Sequence, residues 1–229
     1  AMSTAALEDV RACVFDAYGT LFDFASAAAA CADTLGPRGP ALTALWRDKQ
    51  LQYSWLRGMQ GLYAPFWQVT GEALDHALDA MDLAGTPGLR DRLMGLYLKL
   101  DPFPEVPALL TTLRGRGQRM AILSNGSPDM LGAVVKNAGL AAMFDAVLSV
   151  DAVRTYKTDP RVYRLAEERL GLPAARIAFL SSNAWDAHAA AAFGMQVVWC
   201  NRQGQRPERL PGVIAQEIRD LSELPALLG

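Results

Sequence analysis

Apolar positions along this chain follow two different periods. Five short runs, at residues 10–15, 119–124, 146–150, 177–181 and 197–200, are rich in Val, Ile, Leu or Phe and bounded by turn residues. Each predicts a buried strand. Helical spacing separates them. Ser127-Pro128 predicts a helix start, Met130, Leu131, Val134, Val135 and Ala138 fall on one face, and Gly139 supplies a stop. Asp159-Pro160 repeats the start signal before Val162, Leu165, Ala166 and Leu170, with Gly171 closing. Strands alternating with helices predict an α/β fold whose parallel sheet is built with right-handed crossovers.

The stretch from Asp23 to about Leu100 lacks this alternation. Leu42, Leu45, Trp46 and Tyr53 recur at helical spacing, as do Ala73, Leu74, Ala77, Leu78 and Met81. No strand pattern interrupts them, so residues 23–100 are expected to form a helical cap domain inserted after the first strand. Residues 1–22 and 101–229 form the expected α/β core domain. The prolines of Asp101-Pro102-Phe103-Pro104 disfavour continued helix and mark the return to the core.

Composition narrows the class further. With 229 residues, 51% hydrophobic and 20% charged, the chain can bury a sizeable core. A formal charge of -2, with no Lys or Arg run, offers no field for nucleic acid. The three cysteines, Cys13, Cys31 and Cys200, are far apart with no CxxC pair. They indicate neither a zinc site nor a disulfide framework, and point to a reducing, cytoplasmic setting. Residues 1–9 lack a basic region followed by an apolar stretch, so no signal peptide is expected, and no apolar run suits a membrane span.

The candidate chemistry lies at predicted strand ends, where open α/β sheets bind their ligands. In order these are Asp16, Ser124-Asn125-Gly126, Lys157, and Ser181-Ser182-Asn183-Ala184-Trp185-Asp186. Each alone is ordinary turn chemistry or a solvated charge. A carboxylate at Asp16 can act as a covalent nucleophile. The two histidines, His76 and His188, are read as structural or exposed, because no Gly-x-Ser-x-Gly elbow accompanies them.

The order Asp, Ser, Lys, acidic loop resembles the signature of the haloacid dehalogenase superfamily, which places a helical cap on a Rossmann-like core. The runs Phe15-Asp16-Ala17-Tyr18-Gly19-Thr20-Leu21-Phe22 and Leu123-Ser124-Asn125-Gly126 are similar to the L-2-haloacid dehalogenases in particular. So are the 181–186 loop, Trp46-Arg47 and Tyr53-Ser54-Trp55-Leu56-Arg57. Most members of the superfamily it resembles are magnesium-dependent phosphotransferases, with a second Asp two residues after the nucleophile and a metal-binding Asp early in the fourth motif. Those positions here are Tyr18 and Ser182. The pair left, Asp16 and Asp186, makes a poor magnesium site beside Lys157. No metal or cofactor is therefore expected. Halide also leaves carbon without needing a proton, unlike the alkoxide of a phosphate ester.

The resemblance implies that Asp16 displaces halide from C2 of a short L-2-haloacid to form an ester, which water then hydrolyses to the D-2-hydroxyacid. Arg47 would receive the halide, with Asn125 beside it. Ser124 and the backbone amides of Ala17 and Tyr18 would hold the substrate carboxylate. Lys157 would stabilise Asp16, Thr20 would brace its loop, and Asp186 with Ser181 and Asn183 would orient the hydrolytic water. Tyr18, Leu51, Phe66 and Trp185 would line an apolar wall, and Tyr163 would hydrogen-bond within the site. Thr158 departs from the proline common there in this family. The alternatives are a metal-dependent phosphatase of the same superfamily and a non-catalytic binding protein on this fold. A homodimer is expected by resemblance only.

Overall fold

The computed structural model describes residues 7–229. Residues 1–6, most of the stretch expected not to be a signal peptide, lie outside the described residues. Six strands form one wholly parallel sheet: β1 (Ala12–Phe15), β2 (Arg119–Ser124), β3 (Ala146–Ser149), β4 (Ile177–Ser181), β5 (Gln196–Cys200) and β6 (Gln216–Ile218). Their order across the sheet is β3-β2-β1-β4-β5-β6. β1 and β4 are buried along their whole length, which is why both read as continuous apolar runs rather than alternating ones. Five strands coincide with the expected runs to within two residues. The sixth, β6, contains Gln216 and Glu217 and buries only Ile218. A short edge strand with one inward side chain carries no apolar run to detect.

After β1 the chain forms helices alone before returning to the sheet. They are α1 (Phe24–Ala29), α2 (Ala32–Leu35), α3 (Gly39–Gln60), α4 (Phe66–Ala80) and α5 (Leu89–Gly95). The entry and exit of this segment are tied together. Asp23 N donates to Asp101 O at 2.9 Å and Phe103 N to Leu21 O at 2.9 Å. α3 buries Leu42, Trp46, Gln50 and Ser54, an i, i+4 stripe laid against α4. Trp46 Nε1 donates to Thr70 O across that seam at 3.0 Å. Burying a large apolar side chain contributes roughly 1.5–3 kcal/mol. One continuous apolar cluster runs from the sheet into these helices.

The sheet helices are α6 (Val106–Gly115), α7 (Pro128–Asn137), α8 (Pro160–Leu170) and α9 (Ala184–Phe193), with a final short α10 (Leu224–Leu227). α7 and α8 begin and end where the Ser-Pro and Asp-Pro signals predict. Among the described residues no helix is long and apolar enough to cross a membrane.

Register decides where the chemistry collects. Phe15 lies opposite Ile122 on β2 and Leu180 on β4, so the carboxyl ends of β1, β2 and β4 finish side by side at the sheet's centre. Gly19, at φ +84, makes the sharp turn after Asp16. Gly126 is required for a different reason. A Cβ there would stand 2.9 Å from Leu131 Cδ2 and 3.1 Å from Tyr18 Cε2. Replacing Gly126 by Ala is expected to cost about 1–3 kcal/mol, read as a lowered Tm, because the turn after β2 must move off Tyr18.

Candidate active site

Asp16 follows β1 directly, and its backbone N donates to Leu180 O at 2.9 Å. Its two oxygens meet different partners. Oδ1 accepts from Lys157 Nζ at 3.0 Å. Oδ2 accepts from Asn183 Nδ2 at 2.9 Å, Thr20 Oγ1 at 3.1 Å and Ser181 Oγ at 3.4 Å. Those donors are themselves held. Thr20 Oγ1 accepts from Ser182 N at 2.8 Å, and Ser181 Oγ accepts from Asn183 N at 3.1 Å. Each hydroxyl therefore has its single proton free for Asp16.

Lys157 lies just before α8, and its ammonium is buried between two carboxylates. It donates to Asp186 Oδ2 at 2.7 Å as well as to Asp16. Its backbone N donates to Asn125 Oδ1 at 2.9 Å, which ties the β2 loop to the lysine. The Lys157–Thr158 peptide bond is cis. Burial alone would push the ammonium's pKa down, but Asp16 and Asp186 together hold it above the ordinary value. Asp186, in the first turn of α9, is fully buried. Burial pushes its carboxyl up, while Lys157 holds it back. Its other oxygen accepts from Tyr163 OH at 2.7 Å. Burial and the adjacent carboxylate raise the Tyr163 phenol well above its usual value, so it stays a donor. Tyr163 is fully buried and reaches Asp186 from behind rather than lining open space.

Arg47 approaches from α3. Its Nη2 donates to Asn183 Oδ1 at 2.9 Å and its Nη1 to Gln50 Oε1 at 3.0 Å. The Asn183 side chain thus bridges a cation and the Asp16 carboxylate, with each end of the amide on the partner it can serve. Asn125, expected beside Arg47 at the halide, accepts at Oδ1 from the Lys157 backbone, and its Nδ2 donates to no protein acceptor among the described residues. The N–H groups of Ala17 and Tyr18 donate to no protein acceptor among the described residues. Ser124 Oγ accepts from Gly126 N at 3.0 Å, leaving its O–H to donate elsewhere.

The apolar candidates are more dispersed. The Tyr18 ring packs edge-on to Tyr97 at 5.0 Å between centroids, and its hydroxyl donates to Tyr97 O at 3.4 Å. Trp185 packs edge-on to Trp55 of α3 at 5.3 Å. Leu51 lies one turn beyond Arg47 on α3, and Phe66 opens α4 as a buried side chain. His76 is exposed, and His188 Nδ1 contacts Gly212 O at 3.0 Å, away from this cluster.

Two layers behind the site were not read from the sequence. Gln50, Thr70 and Tyr97 support Arg47. The one signal for Gln50 was a polar residue inside the buried stripe 42, 46, 50, 54. Arg202, after β5, donates to Thr20 O at 2.8 Å and to Glu105 Oε1 at 2.6 Å. Nothing local marks a contact spanning 182 residues.

The donor set does not fit magnesium. The space between Asp16 and Asp186 is filled by an ammonium, and Asp16 Oδ2 already accepts from three groups. Tyr18 and Ser182 add no carboxylate, and among the described residues no three His, Cys, Asp or Glu side chains converge. Octahedral oxygen coordination has too few anionic anchors here.

An aspartate directly after β1, a serine ending β2, a lysine before α8 and an acidic loop after β4 gather at one edge of a parallel α/β sheet. The family model for haloacid dehalogenase-like hydrolases matches residues 10–194, and the chain belongs to that family. Within it the chain groups with the L-2-haloacid dehalogenases. It is 45% identical over 222 residues to (S)-2-haloacid dehalogenase 4A of Burkholderia cepacia, covering 97% of this chain and 96% of the relative. A crystal structure of an L-2-haloacid dehalogenase superposes with a TM-score of 0.93 at 45% identity, covering 96% of this chain and 99% of the other. The L-2-haloacid dehalogenase of Xanthobacter autotrophicus, solved with chloropropionic acid covalently bound, gives 0.89 at 39% identity, covering 96% and 98%.

Proposed function

We propose that this chain is a hydrolase of carbon–halide bonds that converts short (S)-2-haloalkanoic acids to D-2-hydroxyacids and halide. The observation that carries this is Lys157 Nζ standing between Asp16 and Asp186 at 3.0 and 2.7 Å. It sets a buried positive charge directly against the Asp16 carboxylate. One carboxylate oxygen attacks C2 opposite the halogen. The carbon–halogen bond breaks with its electron pair on the halide, C2 inverts, and an ester to Asp16 forms. Water then adds to the ester carbonyl, and the C–O bond to Asp16 breaks at that carbonyl, so C2 keeps its new configuration.

In this reading the helical segment 23–100 is a cap that brings Arg47 over the nucleophile as the permanent cation for halide. Asn183 fixes the spacing between Arg47 and Asp16. The free N–H groups of Ala17 and Tyr18, with the Ser124 hydroxyl, receive the substrate carboxylate. Asp186 receives the proton of the attacking water by way of the Lys157–Asp186 pair, with Tyr163 and Ser181 fixing the geometry. Tyr18, Leu51, Phe66 and Trp185 form the wall around the alkyl group, and Asn125 holds Lys157 in place. Three free, buried cysteines suit a reducing cytoplasm. Exposed Leu56, Met59, Leu62 and Trp67 offer a face for a homodimer.

The test is a parallel assay of halide and phosphate release with and without EDTA. Halide is expected from 2-chloropropionate, with equal rates in chelator. Phosphate release abolished by EDTA, with no halide, overturns the assignment. A single turnover in heavy-oxygen water should place label in Asp16 before it reaches product. Label found directly in the first product would mean that water attacks C2.

A further inference from the structure

Several arginines elsewhere sit against carboxylates: Arg57 on Glu72, Arg90 on Asp75, Arg161 on Asp159 and Arg202 on Glu105. Arg38, Arg114, Arg116 and Arg119 instead donate to backbone carbonyls. Arg47 differs. Its partners are the amide oxygens of Asn183 and Gln50, and no carboxylate lies in salt-bridge range among the described residues. Gln50 is fully buried in α3. Its Nε2 donates to Thr70 Oγ1 and to Tyr97 OH, both at 3.0 Å, so its oxygen must face Arg47, which can only donate. Every polar atom of the Gln50 side chain is used. The network orients the guanidinium in two directions yet adds no charge to cancel it.

We infer that Gln50 is a positioning residue that holds Arg47 aimed and electrically uncompensated, and thereby sets how strongly the departing halide is stabilised. This rests on the dehalogenase reading of the same site. A carboxylate at this position would keep the hydrogen bond but neutralise the cation before any halide arrives. A buried charge a few ångströms away acts strongly on its neighbours. An amide is the side chain that gives orientation without compensation.

The experiment compares wild type, Gln50→Glu and Gln50→Met, with folding checked by circular dichroism. Halide release by wild type from 2-bromopropionate is measured first; its absence sinks the dehalogenase reading itself, apart from Gln50. Given an active wild type, Gln50→Glu should weaken inhibition by added chloride or bromide roughly ten-fold or more. It should also lower kcat for 2-chloropropionate more than for 2-bromopropionate, because chloride is the poorer leaving group. KM should change less than kcat. Gln50→Met, without the acceptor but also without the charge, should retain more halide affinity than Gln50→Glu. Equal slowing of both substrates with unchanged halide inhibition would mark a merely structural residue and overturn the inference. If Gln50→Glu does not fold, Gln50→Met decides: weakened halide inhibition supports the inference, and inhibition equal to wild type overturns it.

Discussion

Replacing Asp16 by Asn abolishes halide release and leaves the fold standing. The carboxamide cannot attack C2 to form an ester, and no other carboxylate can substitute, since Asp186 is fully buried and engaged by Lys157 and Tyr163. The expected loss is on the order of 10⁴-fold or more, equivalent to about 5 kcal/mol or more of barrier. Stability follows a separate balance. The buried group of Asp16, Asp186 and Lys157 carries two negative charges and one positive. Substitution leaves one of each, which favours the fold. Against this, the amide can serve Lys157 with its oxygen only by turning its NH₂ toward Thr20, Ser181 and Asn183, which now donate to Oδ2. Each mismatched hydrogen bond costs about 1 kcal/mol or more. The two effects oppose each other, so Tm should shift by only a few degrees. Halide release above about 1% of wild type, in protein shown to be free of Asp16 by mass spectrometry, would remove the nucleophile assignment.

The central strands were legible because they are buried on both faces and so appear as unbroken apolar runs. Legibility of the site's ingredients came from position. In a parallel sheet the carboxyl ends of the central strands arrive at the same edge, and Asp16 just after β1, Ser124 at the end of β2 and Ser181 at the end of β4 all lie there. What the sequence could not convey was partnership. Asn125 and Asn183 have the same functional group in similar loops. Only the folded chain distinguishes the one that accepts from the Lys157 backbone from the one that joins Arg47 to Asp16. The contact between Arg47 and Asn183 spans 136 residues, and its existence depends on how α3 lies over the sheet. Gln50 was hidden for a related reason: its neighbours Thr70 and Tyr97 come from other parts of the helical segment. β6 was hidden because its backbone pairing with β5 needs almost no apolar surface.

Replacing Lys157 by Met makes the protein's stability fall as pH rises from mildly acidic to mildly alkaline, and lowers it. In the wild type the raised Lys157 pKa means that its contribution to stability is fully present below the ordinary lysine value of 10.5 and is lost as pH rises through the folded value. Neutral and mildly acidic solutions are therefore equivalent as far as this residue is concerned. Without the ammonium, Asp16 and Asp186 face each other across an apolar gap. Two like charges this close, with little water between them, repel strongly. Asp186 is already raised by burial, and removing Lys157 takes away what holds it back. One carboxyl must then keep a proton in the folded state that it gives up when unfolded. A carboxyl with a raised folded pKa contributes stability below its unfolded value, and loses it as pH rises toward the folded one. Urea unfolding should show the variant more stable near pH 5 than near pH 8, the reverse of an ordinary carboxylate-stabilised fold. At neutral pH the loss should be about 3–5 kcal/mol relative to wild type. Halide release should fall by roughly 100-fold or more, because the positive charge beside Asp16 is lost. A variant equally stable at those two pH values would show that Lys157 does not offset the charge of the buried carboxylates.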